Sequence, residues 1–439
     1  MRILKKRLFW TVLLICLATG CGQLPDSSTS TPAIPTATPY PAATKKTSAS
    51  ALDIEERKQS VENGLIPFSE DGQFDWEEHS SISERMEYYN VQGVSVAVIN
   101  DNQIEWSKGY GVMEAGKNQP VTTETLFHAC SVAKPVSAVG VLTLVEAGLL
   151  DLDENVNEKL VSWKVPENAF TEQEKVTLRR LLSHTSGLND GFQSGGWECC
   201  YATEGTAPDA TVKQMLEADP LTGISEATYV KTVPGGTYSY NNLAYNIVQQ
   251  LVEDVTNEPF AAFMQNVVLD PLKMNFSTYE QPLPLELREK ATTEHGGSGE
   301  PVAGKRRHYP ILAAGGLWTT PSDLARFTIE LMSAYNGESS TILSQDMAKE
   351  MLSPQAKILG NPMEKAYGLG MALGDDYGVM RIQHTGGCPW GSNVTLIAYP
   401  ETGQGVVIMT NTANGTAIRV EIWLSIAIEY GWPMIPDLK

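Results

Sequence analysis

Three short stretches of this chain combine residue types that can do chemistry. In the first, Ser131-Val132-Ala133-Lys134, a hydroxyl and an amine stand three residues apart. On a helix that spacing puts both on one face, close enough to share a hydrogen bond. A serine hydroxyl becomes a nucleophile only when a neighbouring base takes its proton, and a lysine can be that base only when neutral. From Pro135 to Leu144 no charge appears, so a helix here is apolar on nearly every side and must be buried. An inert arrangement fits the same residues: Ser131 caps the helix and Lys134 reaches water along its methylene stem. The second stretch, Pro234-Gly235-Gly236-Thr237-Tyr238-Ser239-Tyr240-Asn241-Asn242, reads as a turn entering a helix, with Tyr240 and Asn242 one residue apart. Taken alone, a helix-entry aromatic and a cap describe that pair equally well. The third, His384-Thr385-Gly386-Gly387, closes a candidate core strand, where a structural histidine is the simpler reading.

The elements that must position these groups follow from periodicity. Val94–Ile99, the turn Asn100-Asp101-Asn102 and Ile104–Tyr110 predict a β-hairpin, which is antiparallel because the connection is so short. Val394–Tyr399 and Val406–Thr410, joined through Pro400–Gly403, predict a second; Arg381–His384 predicts a strand leading into a Gly-Gly turn. Helices are predicted over Ile54–Asn63, Ser81–Tyr89, Val132–Glu146, Thr177–Ser183, Asn241–Thr256, Pro259–Val268 and Ala417–Tyr430. Residues 188–236 read as a long irregular stretch, the kind that is usually functional. Strands therefore come from both chain ends with helices between them, the α+β pattern rather than a βαβ parallel sheet. No internal repeat is visible.

Composition narrows the class. The 439 residues could hold two or three average domains, and a hydrophobic content of 42% suits a substantial core. Formal charge is −20, although Arg2, Lys5, Lys6 and Arg7 stand in the first twenty residues without an acid. So acidic a body argues against nucleic-acid partners and against docking on anionic lipid. Met1–Arg7 is basic and Leu8–Ala18 is an apolar run too short to span a bilayer, which fits a secretory signal. Cys21 directly after Gly20 resembles a bacterial lipoprotein signal, which implies a lipidated Cys21 and an exported protein anchored to a membrane outside the cytoplasm. In such signals a leucine usually stands three places before the cysteine; here that place is Ala18. An ordinary cleaved signal is the other reading. Residues 24–50, rich in Pro, Ser, Thr and Ala, read as an extended tether. The expected organisation is a signal over 1–20, lipidated cysteine and tether over 21–50, a helical lead-in over 51–83, and one domain over 84–435. Within that domain an α/β part covers about 84–127 and 296–435, and a helical part about 128–295.

No cofactor and no metal is expected: the six histidines are scattered, with none at His-x-x-x-His spacing, and Cys-x-x-Cys is absent. Beyond Cys16 and Cys21, four cysteines remain (Cys130, Cys199, Cys200 and Cys388), which allow three complete pairings.

In order, spacing and flanks the three stretches resemble the serine β-lactamase and penicillin-recognising hydrolase superfamily. More narrowly, the resemblance is to the branch of class C β-lactamases, D-alanyl-D-alanine carboxypeptidases and related esterases. It runs from about Glu84 to Tyr430 and includes Leu181-Leu182-Ser183-His184-Thr185-Ser186-Gly187-Leu188 and Ala313-Ala314-Gly315-Gly316-Leu317-Trp318-Thr319-Thr320-Pro321-Ser322-Asp323-Leu324-Ala325. Ser-x-x-Lys matches the motif set of the class A relatives, while Tyr-x-Asn and His-Thr-Gly stand where those enzymes have Ser-Asp-Asn and Lys-Thr-Gly. The resemblance implies a β-lactamase/transpeptidase-like fold and an acyl-enzyme on Ser131. It implies a base shared between Lys134 and Tyr240, leaning to Tyr240, with Asn242 positioning Lys134 and the substrate amide. His384 and Gly386 would line the substrate strand, and the N–H groups of Ser131 and Gly387 would form the oxyanion hole.

His384 replaces a cationic lysine, which favours a small ester, amide or D-amino-acid peptide, cell-wall-derived ones included, over efficient β-lactam hydrolysis. The alternative is a penicillin- or peptidoglycan-binding sensor that acylates and stalls, or does not react. Cys130 and Cys388 flank the two implied oxyanion donors and are expected to lie close, as a disulfide.

Overall fold

A computed structural model describes residues 51–68, 73–189, 202–203, 210–222, 224–308, 310–361, 363–388 and 390–434. The signal, Cys21, the tether to residue 50, Trp197, Cys199 and Cys200 lie outside the described residues. In chain order the strands are β1 (Gly93–Asn100), β2 (Gln103–Gly111), β3 (Phe127–His128), β4 (Ala202–Thr203), β5 (Arg307–His308) and β6 (Trp318–Thr319). There follow β7 (Ala356–Lys357), β8 (Ala366–Tyr367), β9 (Ala372–Asp376), β10 (Val379–Gly387), β11 (Asn393–Tyr399) and β12 (Gln404–Thr410). Eight of them form one antiparallel sheet in the order β2-β1-β12-β11-β10-β9-β8-β7, so both chain ends contribute, as expected. β3 pairs with β6 and β4 with β5 in two small ladders.

Alternation along the central strands separates two cores. Val94, Val96 and Val98 of β1, with Val406 and Ile408 of β12, face α1 (Ala51–Asn63), α2 (Ile82–Tyr88) and the last helix, Gly415–Glu429. Ala97 and Ile99, with Val407 and Met409, face the other way, toward α3 (Ala133–Glu146), α4 (Leu178–Leu182), α5 (Asn242–Thr256) and α6 (Pro321–Asn336). Because β1 is covered on both faces its sequence is almost continuously apolar, with Ser95 the one buried polar residue among Val94–Ile99. Each such fully buried valine or isoleucine contributes about 1.5–3 kcal/mol.

Helix α6 has clear end signals that the pattern reading left unassigned: Thr320 caps it, Pro321 occupies its first turn and Gly337 ends it in the left-handed region. The strands β7 to β9 were likewise not anticipated.

Two expectations need correction. Gly386 and Gly387 do not turn the chain, since β10 runs through both and pairs them with Val394 and Asn393 of β11. The stretch 188–236 is not wholly irregular either, because β4 and a helix over Val212–Leu216 fall within it.

Candidate active site

The Ser131 stretch is a turn of 3₁₀-helix over Cys130–Val132 that runs directly into α3. Neither element has a side-chain cap, so Ser131 is not a capping residue. Lys134 does not reach water: it is fully buried. Its Nζ donates to the Ala314 carbonyl at 2.7 Å and to Ser131 Oγ at 3.2 Å. Two tyrosine rings complete the enclosure, with Nζ 5.0 Å from the centroid of Tyr240 and 5.6 Å from that of Tyr245. A carbonyl acceptor and two aromatic faces compensate an ammonium taken out of water. The inert arrangement of cap and exposed lysine is thereby excluded. Ala314 itself carries no reactive side chain; its contribution is a backbone oxygen.

Tyr240, half-buried, is held by His184 through three contacts. The Ser239 N–H donates to the His184 carbonyl at 2.8 Å, and the Asn241 N–H donates to His184 Nδ1 at 3.1 Å. The imidazole also packs 4.4 Å from the Tyr240 ring centroid. His184 is therefore a positioning residue that motif reading had noted only as part of a matching stretch. Since Nδ1 accepts, Nε2 carries the proton, and the His184 ring packs among Tyr238, Tyr240, Tyr245 and Tyr367. The cap of α5 is Asn241, whose Oδ1 accepts from the Ala244 N–H, and not Asn242. Asn242 is the first helical residue and is half-buried.

β10 brings the third stretch alongside. A Cβ on Gly386 would stand 2.4 Å from the Ala129 carbonyl oxygen and 3.2 Å from the Ser131 nitrogen. Only a residue without a Cβ lets the strand lie so close to the Ser131 turn. Gly387, the next residue, is exposed. Cys130 and Cys388 are joined in a disulfide, with Cα atoms 5.8 Å apart, which ties the residue before Ser131 to the residue after Gly387. The expected pairing is the one found.

His384 is buried on the same strand. Its Nδ1 lies 2.8 Å from the Thr385 carbonyl, which can only accept, so Nδ1 bears the proton. Nε2 then accepts from the Tyr367 hydroxyl at 3.0 Å. Burial lowers its pKa to about 3, with the Lys134 charge adding to the effect. Burial likewise holds His184 well below the ordinary histidine range. Neither ring is a cation at neutral pH.

These two histidines give a pH prediction. Below about pH 6.5 the unfolded chain protonates both, while the folded chain resists until about pH 3 at His384. The unfolded state binds more protons over that window, so stability falls on acidification, by about 1.4 kcal/mol per pH unit for each histidine. Thermal melts from pH 7.5 to 5 should show this decline, and His384→Asn should flatten it by up to that amount. A slope identical in the variant would show that His384 is not buried in its neutral form.

Sheet, helices and the cluster of Ser131, Lys134, Tyr240 and Gly386 together define a β-lactamase/transpeptidase-like fold. The profile of the Beta-lactamase family matches residues 80–430, and the chain belongs to that family of serine hydrolases. Among curated relatives, Protein flp of Staphylococcus aureus is 22% identical over 326 residues, covering 73% of this chain and 60% of that protein. The unguisins hydrolase ungD of Aspergillus violaceofuscus is 25% identical over 387 residues, covering 80% of this chain and 63% of that one. This chain thus spans about 60% of the length of the curated relatives it matches. Among solved structures, the D-amino acid amidase of Ochrobactrum anthropi superposes with a TM-score of 0.64 at 21% identity, covering 86% of this chain and 99% of that one.

Proposed function

We propose that this chain is a serine hydrolase that works through an acyl-enzyme on a small ester, amide or peptide, and that β-lactams are poor substrates. The observation that carries the reading is the buried Lys134 side chain, its Nζ 3.2 Å from Ser131 Oγ. Ser131 attacks the carbonyl, the coupled Lys134–Tyr240 pair takes its proton, and the N–H groups of Ser131 and Gly387 receive the developing oxyanion. Each such donor contributes about 3–4 kcal/mol to the transition state. Asn242 orients the substrate amide beside Lys134. Water then releases the acyl group. The neutral His384, with both ring nitrogens already engaged, supplies no charge to a substrate carboxylate. Its loss as a cation removes a charge-assisted hydrogen bond of about 1.5–3 kcal/mol, tenfold or more in rate constant.

The Met1–Cys21 sequence supports an exported protein held at a membrane by a lipid on Cys21, and a disulfide fits an oxidising compartment.

The test sets p-nitrophenyl esters, D-amino-acid amides and a chromogenic β-lactam side by side, with intact-mass detection of the acyl adduct. Turnover of ester or amide at least about tenfold above the β-lactam is expected, with the adduct on Ser131. A β-lactam as best substrate would overturn the substrate ranking. A stoichiometric burst without turnover would identify a stalled sensor instead.

A further inference from the structure

The disulfide does not stand alone. His128 Nδ1 lies 3.2 Å from Cys388 Sγ and 3.8 Å from Cys130 Sγ, and the three ligand atoms all fall within 4.8 Å of one another. Beside the same nitrogen, at 3.4 Å, stands Oε1 of Glu294, a fully buried carboxylate neither of whose oxygens has a hydrogen bond among the described residues. A buried carboxylate in that condition is unfavourable unless a cation faces it. The other imidazole nitrogen, Nε2, donates to the Gly315 carbonyl at 2.6 Å, and the ring stacks on Trp318 at 5.1 Å. A backbone carbonyl on one ring nitrogen is how a metal-ligating histidine is commonly fixed, leaving the other nitrogen's lone pair for the ion. Gly391 packs directly on Glu294: a Cβ there would stand 2.5 Å from Glu294 Cβ.

We propose that, once the Cys130–Cys388 bond is reduced, Cys130, Cys388 and His128 form a three-donor site for Zn²⁺, with a water as the fourth ligand and the Glu294 carboxylate beside His128. With zinc–ligand bonds of about 2.0–2.3 Å, a tetrahedral edge between sulfur and nitrogen is about 3.6 Å. The observed separations of 3.2 and 3.8 Å are already close to that edge. Two thiolates on one zinc stand about 3.8 Å apart, far beyond a disulfide bond, so disulfide and metal exclude one another. A dithiol reductant supplies two electrons and two protons, breaks the S–S bond to give two thiols, and leaves as its own disulfide. Zinc then binds both sulfurs as thiolates and the two protons pass to water. Two of the ligands are the sequence neighbours of Ser131 and Gly387.

The experiment uses Co²⁺ and Zn²⁺ on the full chain carrying Cys199→Ser and Cys200→Ser, so that Cys130 and Cys388 are the only thiols beyond residue 21. Reduced protein should hold about one ion per chain, with the intense thiolate-to-cobalt absorption of a tetrahedral site. The oxidised protein and reduced Cys388→Ser should hold none, and Glu294→Gln should weaken binding by at least about tenfold. Near-UV circular dichroism follows the fold throughout. Reduced protein that keeps its fold and takes no ion, reduced protein that loses its fold, or equal uptake by the oxidised form would each overturn the site.

Discussion

Ser131→Ala should abolish the acyl adduct and lower ester turnover by about 10⁴-fold or more, the scale seen when a nucleophile is removed from a serine hydrolase. Little else should change. The side chain is half-buried, and its removal leaves Lys134 its contact with the Ala314 carbonyl and its place beside the two tyrosine rings. Stability should therefore change by no more than an ordinary partly exposed substitution allows, about 1 kcal/mol. Residual turnover, if measurable, reports what the N–H groups of the oxyanion site achieve with water as nucleophile. Equal turnover in variant and wild type would remove Ser131 from the mechanism.

Lys134→Met separates a catalytic lysine from a structural one. Methionine fills a similar volume without charge, and replacing a buried ion by an apolar side chain is often neutral or stabilising. Against this, the Ala314 carbonyl loses its donor, at a cost of about 1–3 kcal/mol. The two effects oppose, so stability should change little while kcat falls by about 10²–10⁴, the range for loss of a general base. Tyr240→Phe keeps the ring packed on His184 and removes only the hydroxyl, and it should reduce kcat by a comparable factor. If lysine and tyrosine titrate as one unit, the double variant should be no slower than the slower single. Multiplying losses would instead mean that each acts on its own. A melting temperature that collapses in Lys134→Met, with kcat unchanged, would make the lysine a structural residue.

How much of this could be read in advance varied with the physics of each element. The hairpin β1–β2 and the pair β11–β12 were legible because β-branched runs flank unambiguous turns, and helices α3 and α5 because their boundaries coincide with proline, asparagine or glycine signals. Strands β7 to β9 were not, being two to five residues long and interrupted by glycines at 368, 370 and 374. The two glycines at the end of β10 misled for a physical reason. Glycine pairs usually announce a turn, but here they permit a strand to approach the Ala129 carbonyl. Ser131, Lys134, Tyr240 and the disulfide partners were legible from motif and position, and the structure brings them together. His184 and the Ala314 carbonyl were not, since positioning through a backbone oxygen or through a ring nitrogen's acceptance leaves no mark on residue type. The neutrality of His384 was readable from its ordinary pKa; its complete engagement by Tyr367 and Thr385 was not.

The pairing of β1 has a consequence in time. Its neighbour on one side, β2, follows it at once, but its neighbour on the other, β12, is the last strand of the sheet. At about 5–20 residues per second, translation delivers β12 roughly 15–60 s after β1. During that interval an apolar strand stands open along one edge, the arrangement most prone to pair with a second chain. Ser131, Lys134 and Tyr240 are synthesised in the first half of that interval, whereas the strand bearing Gly386 and Gly387 follows only near its end. A growing chain thus carries the Ser131 turn for most of that interval without the strand that packs against it, and it gains that strand shortly before the sheet closes.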